Sequence, residues 1–322
     1  MLLLTGPVVA VVFLSFIGLA TSLWMLTVIL MAGGLGCAAF HPSAAALAVR
    51  RGGDRPGFAM SVYITGGTLG FAFGPLVFAP FADRFGLEWT PVLVIPGLVL
   101  LALFLRRVPV FSVHGTAGAA GLRALRPYAR PLALLYAVVV LRTLAALSFA
   151  TFVPVMLTRR GLSLSDAGAS IAVYLLASGI GGFFGGPAAD RYGGRVVIAA
   201  SLLVAAPFLA VAPFLSGWWF AVVLAVGGFF LQSTLPVNVT FGQAIAPVSA
   251  ATVSSIMMGF GWGSAGMSVP FVGMLADRIG VEATLSLMAL APLAGAACTW
   301  PLPQRATPHV PARPADTGMT EL

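Results

Sequence analysis

Ten long apolar stretches dominate this sequence, and they restrict its fold more than any other feature. Each is close to the roughly 17–25 residues that an α-helix needs to cross the hydrocarbon core of a bilayer. Hydrophobic residues make up 59% of the chain and charged residues 8%, whereas a soluble domain carries about 25% charged residues. The sequence therefore predicts an all-α, polytopic membrane protein and argues against a soluble enzyme, a disordered chain or a disulfide scaffold.

The stretches fall into two groups on either side of a basic segment. We place the ten predicted helices at residues 2–20, 22–46, 58–80, 89–105, 131–157, 166–188, 195–214, 217–239, 249–274 and 282–301. The segment between the groups is rich in arginine, glycine and alanine, which predicts a cytoplasmic linker. The predicted domains are a four-helix N-terminal half (1–105), the linker (106–130), a six-helix C-terminal half (131–301) and a disordered, proline-rich tail (302–322).

All 17 basic residues are arginines, and their distribution predicts the orientation in the membrane. Twelve lie in the tail or in loops that follow even-numbered helices: Arg50, Arg51, Arg55, Arg106, Arg107, Arg123, Arg126, Arg130, Arg191, Arg195, Arg305 and Arg313. Four lie in loops that follow odd-numbered helices: Arg84, Arg159, Arg160 and Arg278. Because cytoplasmic loops carry the excess of basic residues, we expect a multi-pass protein of the inner (plasma) membrane with both termini in the cytoplasm. The same bias explains the net charge without a nucleic-acid partner.

A five-residue pattern, Ala-Asp-Arg-x-Gly, occurs three times, at residues 82–86, 189–193 and 276–280. The first and third copies begin 194 residues apart and close similar apolar stretches, so the two groups of helices are repeats of each other. The same offset places the partner of the second copy upstream of Met1. We therefore expect an ancestor of six plus six helices, of which the first two are absent here. The second copy is expected to face the cytoplasm and the other two the outside, as in nested inverted repeats.

The residues around these repeats resemble a known family. FFGGPAADRYGGR (183–195) resembles the signature loop between the second and third helices of each half of the major facilitator superfamily. Four further segments resemble the fosmidomycin-resistance branch of that superfamily: GLGCAAFHPSAAALA (34–48), SVYITGGTLGFAFGP (61–75), FATFVPVMLTRRGLSLSDAG (149–168) and MMGFGWGSAGMSVPFVGMLADRIG (257–280). The resemblance implies the major facilitator fold, N-terminally truncated by two helices, and proton-coupled export of small toxic molecules.

Arg142 is the strongest single candidate for function. It lies eleven residues into the fifth predicted helix, near the bilayer centre, where a charge costs at least about 2.5–3.5 kcal/mol. A cation there suits a phosphonate or carboxylate ligand, although an arginine satisfied by carbonyls and polar neighbours is the structural alternative. Helical spacing places Ala145, Ala146 and Phe149 on the same side, which predicts an open surface that admits a ligand.

Phe149, Tyr174, Gln232 and Trp262 are the other candidates for substrate contact. Gln232 is a rare amide in the middle of the eighth predicted helix, and Tyr174 and Trp262 lie near the middle of the sixth and ninth. A hydrogen bond between helices is the alternative role for Gln232. Packing or contact with lipid is the alternative for the two aromatic residues.

No carboxylate lies deep in any predicted helix, so the sequence lacks an obvious acid for proton coupling. His41, which precedes Pro42, is the candidate proton relay because histidine titrates near neutral pH; a hydrogen-bonded histidine beside a proline kink is the structural alternative. Cys37 and Cys298 lie in apolar stretches and indicate neither a disulfide framework nor a metal site. The glycine runs lack a following Gly-Lys-Ser/Thr, so no nucleotide or other cofactor is expected.

Asp190, Arg191 and Arg195 form the predicted conformational latch. A carboxylate in a tight cytoplasmic turn can cap a nearby helix N-terminus and so favour one closed state. The family resemblance implies such a latch between the two halves. Symmetry places its partner at the start of the third predicted helix, near residues 56–59.

The sequence thus predicts a secondary transporter, not an enzyme, that exports small amphipathic or anionic compounds by alternating access. Its expected partners are a small-molecule substrate, the lipid bilayer and protons as the coupling ion. No Ser-His-Asp set, metal-ligand cluster or intramembrane acid pair supports catalysis. An uptake permease of the same fold and a non-transporting fragment, caused by the two absent helices, are the alternatives.

Overall fold

The computed structural model describes residues 2–107 and 122–304, and within these ranges the chain forms helices and no strand. The α-helices are α1 (Leu2–Ser15), α2 (Leu23–Arg51), α3 (Pro56–Phe85), α4 (Val94–Arg107), α5 (Ala129–Arg159), α6 (Leu164–Tyr192), α7 (Gly194–Val211), α8 (Gly217–Ile245), α9 (Ala250–Ser254), α10 (Gly261–Ile279), α11 (Val281–Met288) and α12 (Ala291–Thr299). A π-helical segment, Ser255–Phe260, joins α9 to α10. Short 3-10 turns occur at Ile17–Leu19, Leu87–Leu93, Leu122–Tyr128, Ala212–Phe214 and Pro247–Ser249.

The ten predicted helices are all recognisable in this order of elements. The ninth corresponds to α9, the π-helical segment and α10 in sequence, and the tenth to α11 and α12. Residues 108–121 of the predicted linker and 305–322 of the predicted tail lie outside the described residues. The last part of the linker forms the 3-10 turn Leu122–Tyr128, which leads directly into α5.

Seven described helices are long and apolar enough to cross a membrane. They are Leu23–Arg51, Leu87–Arg106, Ala124–Arg159, Asp166–Tyr192, Gly194–Phe214, Gly217–Ile245 and Val281–Thr299. The apolar helix at Thr5–Leu19 is shorter. This confirms the polytopic membrane class that the composition predicted.

Several predicted helix ends are wrong because the Ala-Asp-Arg-x-Gly pattern lies inside the helices rather than after them. α3, α6 and α10 each continue through the Asp-Arg pair and end at the residue before the glycine. The three glycines have φ angles of 87° (Gly86), 91° (Gly193) and 88° (Gly280). A residue with a Cβ atom rarely adopts this region of φ. The glycine therefore ends each helix, and the polar pair occupies its last turn.

α6 packs against helices of both halves. It packs along α8 within the C-terminal half and along α3 of the N-terminal half. α5 packs against α10, α11, α12, α6 and α8, and α7 packs against α8 and α12. The two halves also meet where α2 contacts α9 and the π-helical segment.

The helix directions define two ends of the bundle. α3 begins and α6 ends at the first, which we call the arginine-rich end (residues 50–57, 190–195 and 300–304). α5 ends and α6 begins at the opposite end, where Arg159 lies 3.8 Å from Asp277 at the end of α10. The first and third Ala-Asp-Arg-x-Gly copies thus lie at the opposite end and the second copy at the arginine-rich end. This is the alternation that the repeat analysis predicted.

Candidate functional site

Arg142 lies near the middle of α5 and has no exposed surface. One of its Nη atoms donates a hydrogen bond to Oε1 of Gln232 on α8. The other donates to Oγ1 of Thr143 at 2.9 Å. The buried Tyr174 of α6 is close enough to the guanidinium for the two side chains to interact electrostatically. These four residues, which we call the Arg142 cluster, join three helices of the C-terminal half.

The Arg142 cluster is short of acceptors and of negative charge. The Nε–H of Arg142 is buried and has no hydrogen-bond partner. Among the described residues no carboxylate contacts the guanidinium, whose acceptors are one amide oxygen and one hydroxyl. A buried cation that lacks a counter-charge carries a desolvation cost on the order of several kcal/mol. An anion that enters the cluster would supply both the charge and the missing acceptor.

The remaining predicted substrate contacts are placed differently. Phe149 lies on the same helix as Arg142 and is completely buried. Ala145 is also completely buried and Ala146 is 9% exposed, so the open surface predicted around Arg142 is closed in this structure. The reason is that α6, α8 and α10 all pack against α5. Trp262 on α10 is 39% exposed, and no hydrogen bond or ring contact of the described residues connects it to the Arg142 cluster.

Asp190 is hydrogen-bonded across the junction of the two halves. Its Oδ1 accepts from the backbone N–H of Gly57 and its Oδ2 from that of Phe58, both at 2.9 Å. These amides belong to the first turn of α3, where helical N–H groups have no partner within the helix. The positive end of the helix dipole also favours a carboxylate there. The contact joins the two segments that the repeat symmetry paired.

The helices beside Asp190 approach each other through small residues. Ser61 Oγ donates to the carbonyl oxygen of Gly182 and accepts from the N–H of Gly186, both at 3.0 Å. A Cβ atom on Gly186 would lie 1.9 Å from the carbonyl oxygen of Gly57, and one on Gly57 would lie 2.6 Å from Asp190 Oδ1. Only glycine allows the backbones to come this close.

Arg191 and Arg195 are the other predicted latch residues, and no hydrogen bond, ion pair or ring contact of the described residues joins them to α3. The Arg191 guanidinium lies over the ring of Tyr192, 5.2 Å from its centroid. Arg195 lies 5.8 Å from the ring centroid of Trp300 and donates to the carbonyl oxygen of Leu302 at 3.0 Å. Of the three predicted residues, Asp190 alone connects the two halves through a hydrogen bond of its side chain.

His41 is hydrogen-bonded to a residue that the sequence analysis did not select. Its Nδ1 lies 2.8 Å from the hydroxyl oxygen of Tyr63 on α3, and the two rings pack edge to face. His41 is exposed on α2, in the N-terminal half. It is therefore a separate polar site from the Arg142 cluster, which lies between helices of the C-terminal half.

Sequence reasoning missed Thr143, and it gave no role to Asn238, which with Gln232 and Gln243 is one of three rare amides in or beside the eighth predicted helix. Thr143 directly follows Arg142 in the sequence, but the hydrogen bond between the guanidinium and the Thr143 hydroxyl depends on the rotamers of the two side chains. Asn238 on α8 is 1% exposed, and neither its oxygen nor its nitrogen has a partner. Its place in an apolar helix was the available signal. In the described ranges no group of three or more His, Cys, Asp or Glu residues is arranged to hold a metal ion.

Comparison with known proteins places this chain among membrane transporters. A family model described as the Major Facilitator Superfamily matches residues 1–247 and 135–318. The fosmidomycin resistance protein of Escherichia coli (strain K12) is 27% identical over 273 residues, which are 81% of this chain and 66% of that protein. The MFS-type transporter YfnC of Bacillus subtilis (strain 168) is 30% identical over 278 residues, 81% of this chain and 67% of YfnC. The chain thus spans about two thirds of the length of these curated relatives.

Solved structures with the same fold are also found. The MFS transporter FucP in the outward conformation superposes with a TM-score of 0.71 and 15% identity over 92% of this chain and 81% of FucP. A variant of the E. coli fucose:proton symporter FucP has the same TM-score, with 13% identity over 92% of this chain and 82% of the symporter. At these identities the likeness shows the fold alone.

Proposed function

This chain belongs to the major facilitator superfamily, and from that premise we propose that it exports small amphipathic or anionic compounds by alternating access. The observation that carries the proposal is the Arg142 cluster. A buried guanidinium with an unused N–H donor and no carboxylate partner among the described residues is suited to an anionic group. Arginine offers a planar pair of N–H donors, which matches the oxygens of a carboxylate or a phosphonate.

Gln232 and Tyr174 add the uncharged part of the proposed site. Gln232 is partly exposed and Tyr174 is buried beside Arg142, so an amide and an aromatic ring flank the cation. Phe149 and Trp262 remain proposed contacts that a rearrangement of α5 and α10 would bring to the substrate. The curated relative that is named for fosmidomycin resistance supports an export direction.

Access to the site is proposed to alternate through the junction of α3 and α6. In this structure Asp190 accepts hydrogen bonds from the first turn of α3, and the backbones of α3 and α6 approach closely at Gly57 and Gly186. We assign this arrangement to the state that is closed at the arginine-rich end. Loss of the two Asp190 hydrogen bonds would free α3 to separate from α6 and open that end.

The membrane orientation and the coupling ion are further parts of the proposal. We propose that the arginine-rich end faces the cytoplasm in the inner membrane, because arginines are concentrated there. We also propose that protons drive export and that the His41–Tyr63 pair relays them. The pair supports this role because one of the two hydrogen-bonded groups, the imidazole, exchanges protons near neutral pH.

Growth of exporter-deficient cells on fosmidomycin tests the function directly. An exporter raises resistance, an uptake permease makes the cells more sensitive, and a non-transporting fragment has no effect. Arg142→Ala should abolish the resistance, because the proposed site loses its cation. The abundance of the variant in the membrane should stay equal to that of the wild type, because the loss of an intramembrane charge does not hinder insertion. Arg142→Lys should keep part of it, since the charge remains and the planar donor pair is lost.

The matched control is Arg126→Ala, which removes an exposed arginine in the turn before α5. It should leave resistance unchanged. Full resistance in Arg142→Ala would remove this residue from the substrate site and leave it a structural role. Resistance that is absent from the wild type at normal abundance would contradict the proposed export of this compound.

A further inference from the structure

A groove at the arginine-rich end has no part in the proposed transport site. It has a volume of about 910 Å³ and lies between the end of α6, α7, the end of α8 and the end of α12. Its lining includes two basic side chains, Arg191 and Arg195, and two apolar side chains of α7, Val196 and Leu203. This size is within the range of roughly 300–1,000 Å³ found for ligand pockets.

The two arginines give the groove an excess of unused positive charge. Arg191 rests on the ring of Tyr192 and has no acceptor for its N–H donors among the described residues. Arg195 uses one donor on Leu302 and lies near the ring of Trp300. Asp190, the acidic residue of the groove lining, has both carboxylate oxygens bonded to backbone N–H groups of α3.

The apolar side of the groove continues onto the outer surface of α7. Val196 is 57% exposed and Leu203 is 53% exposed, two turns apart on the same helix. Trp300, which is 81% exposed, also lines the groove. Tryptophan is enriched at the level where lipid headgroups meet the hydrocarbon core. One ligand that fits all three features carries an anionic headgroup and an acyl chain.

We propose that this groove binds one anionic phospholipid, with its phosphate on Arg191 and Arg195 and an acyl chain along Val196 and Leu203. Basic pockets between helices at the cytoplasmic side of a membrane have this chemistry. A free phosphate ion would satisfy the arginines but would leave the apolar wall without a partner. The proposal needs the chain to lie in a membrane, and it does not depend on the direction of transport or on a substrate.

The bound lipid would also influence the Asp190 contact. Pro56 at the start of α3 and Asp190 at the end of α6 both line the groove. A lipid that touches both helices only while they are joined stabilises the joined state through that difference in affinity. An increase in anionic lipid should therefore favour the state that is closed at the arginine-rich end.

Native mass spectrometry of the purified full chain tests the proposal with phosphatidylglycerol and phosphatidylcholine as probes. Two arginines near one phosphate predict a preference of about thirtyfold for the anionic lipid. The double variant Arg191→Gln with Arg195→Gln should lose most of this preference, whereas Arg126→Gln should retain it. Ala200→Trp, which fills the apolar side and keeps both arginines, should also reduce lipid binding.

Competition with inorganic phosphate identifies the source of the phosphate group that the groove binds. Millimolar inorganic phosphate should not displace the lipid, because it cannot use the apolar wall. Equal binding of the two lipids by the wild type would overturn the proposal, as would a preference that survives both the double variant and Ala200→Trp. Displacement of the lipid by inorganic phosphate alone would show an anion site and would also overturn it.

Discussion

Asn238 illustrates how a single side chain in the bundle can oppose stability. Its amide is 1% exposed and neither polar atom has a partner. A buried donor or acceptor without a partner costs about 1–3 kcal/mol. Gln243, on the same helix and 4% exposed, instead donates to Ser254 Oγ at 2.7 Å. The two amides therefore form a natural pair of test and control.

We predict that Asn238→Leu raises the thermal midpoint of the purified protein, because an apolar side chain of similar shape removes the unsatisfied groups. Gln243→Leu should lower the midpoint, because it removes a hydrogen bond worth about 1 kcal/mol. Differential scanning fluorimetry of both variants in one detergent measures the contrast. A midpoint that falls equally in both would contradict the prediction and would mean that the Asn238 amide has a polar partner in the folded protein.

For single residues, the sequence predicted which side chains form the polar cluster better than it predicted whether their surroundings are open or buried. Arg142, Tyr174 and Gln232 stand out as polar groups in apolar helices, and the structure brings them together. Phe149 and Ala145 were predicted to line an open surface and are buried. Helical spacing gives the side of α5 on which they lie, but whether α6 and α8 cover that side depends on packing between helices that are distant in sequence.

α6 carries two glycine faces that serve two different neighbours. Gly181 and Gly185 face α8, where a Cβ atom on either would lie within 2.0 Å of a backbone carbonyl oxygen. Gly182 and Gly186 follow one residue later, and Ser61 of α3 is bonded to both. The run Gly181–Gly186 thus lets one helix pack closely within its own half and against the other half.

We predict that Gly186→Ala weakens the junction of the halves far more than Gly182→Ala does. The new Cβ atom would lie 1.9 Å from the Gly57 carbonyl oxygen in the first case and 3.8 Å from its nearest neighbour in the second. Alanine at 182 should be neutral or stabilise by about 0.5–1 kcal/mol, because it is the better helix former. Thermal midpoints of the two variants give the comparison, and equal midpoints would count against close packing here.

Asp190→Asn should expose the start of α3 to solvent exchange. The charged acceptor for the N–H groups of Gly57 and Phe58 is replaced by a neutral amide with one acceptor oxygen, so at least one bond is lost. Hydrogen–deuterium exchange of the peptide that contains residues 57 and 58 should become faster. Asp277→Asn, at an exposed carboxylate of the opposite end, is the control and should leave that peptide unchanged. Unchanged exchange in Asp190→Asn would contradict the latch.

At the scale of whole helices, hydropathy predicted which segments exist, and backbone geometry decides where they end. The predicted ends of the third and ninth helices fall short by five residues, because Asp and Arg were taken as the start of a loop. The π-helical segment before α10 has no signature in apolar periodicity and was not predicted. The three helix-ending glycines were visible as a repeat, although their shared φ near 90° was not.

At the scale of the whole molecule, the repeat in the sequence pairs elements of the two halves. The offset of 194 residues pairs α3 with α9 to α10, and both end in the same glycine turn at the same end of the bundle. Ser61 of α3, which is hydrogen-bonded to α6, is paired by this offset with Ser255, whose hydroxyl donates to the carbonyl oxygen of Ala251 in α9. The predicted equivalence of the two halves as rigid units stays a prediction for superposition of residues 58–105 on 249–301.

The final prediction concerns how the whole bundle is oriented in the membrane. Arginines are concentrated at one end, and the positive-inside bias places that end in the cytoplasm. With Cys37 and Cys298 replaced by alanine, Arg126→Cys in the linker should resist a membrane-impermeant maleimide in intact cells and react in inverted vesicles. Glu88→Cys, exposed at the opposite end, should show the reverse. Labelling of residue 126 from outside intact cells would contradict the prediction. It would show the opposite orientation, in which the end closed by Asp190 faces away from the cytoplasm.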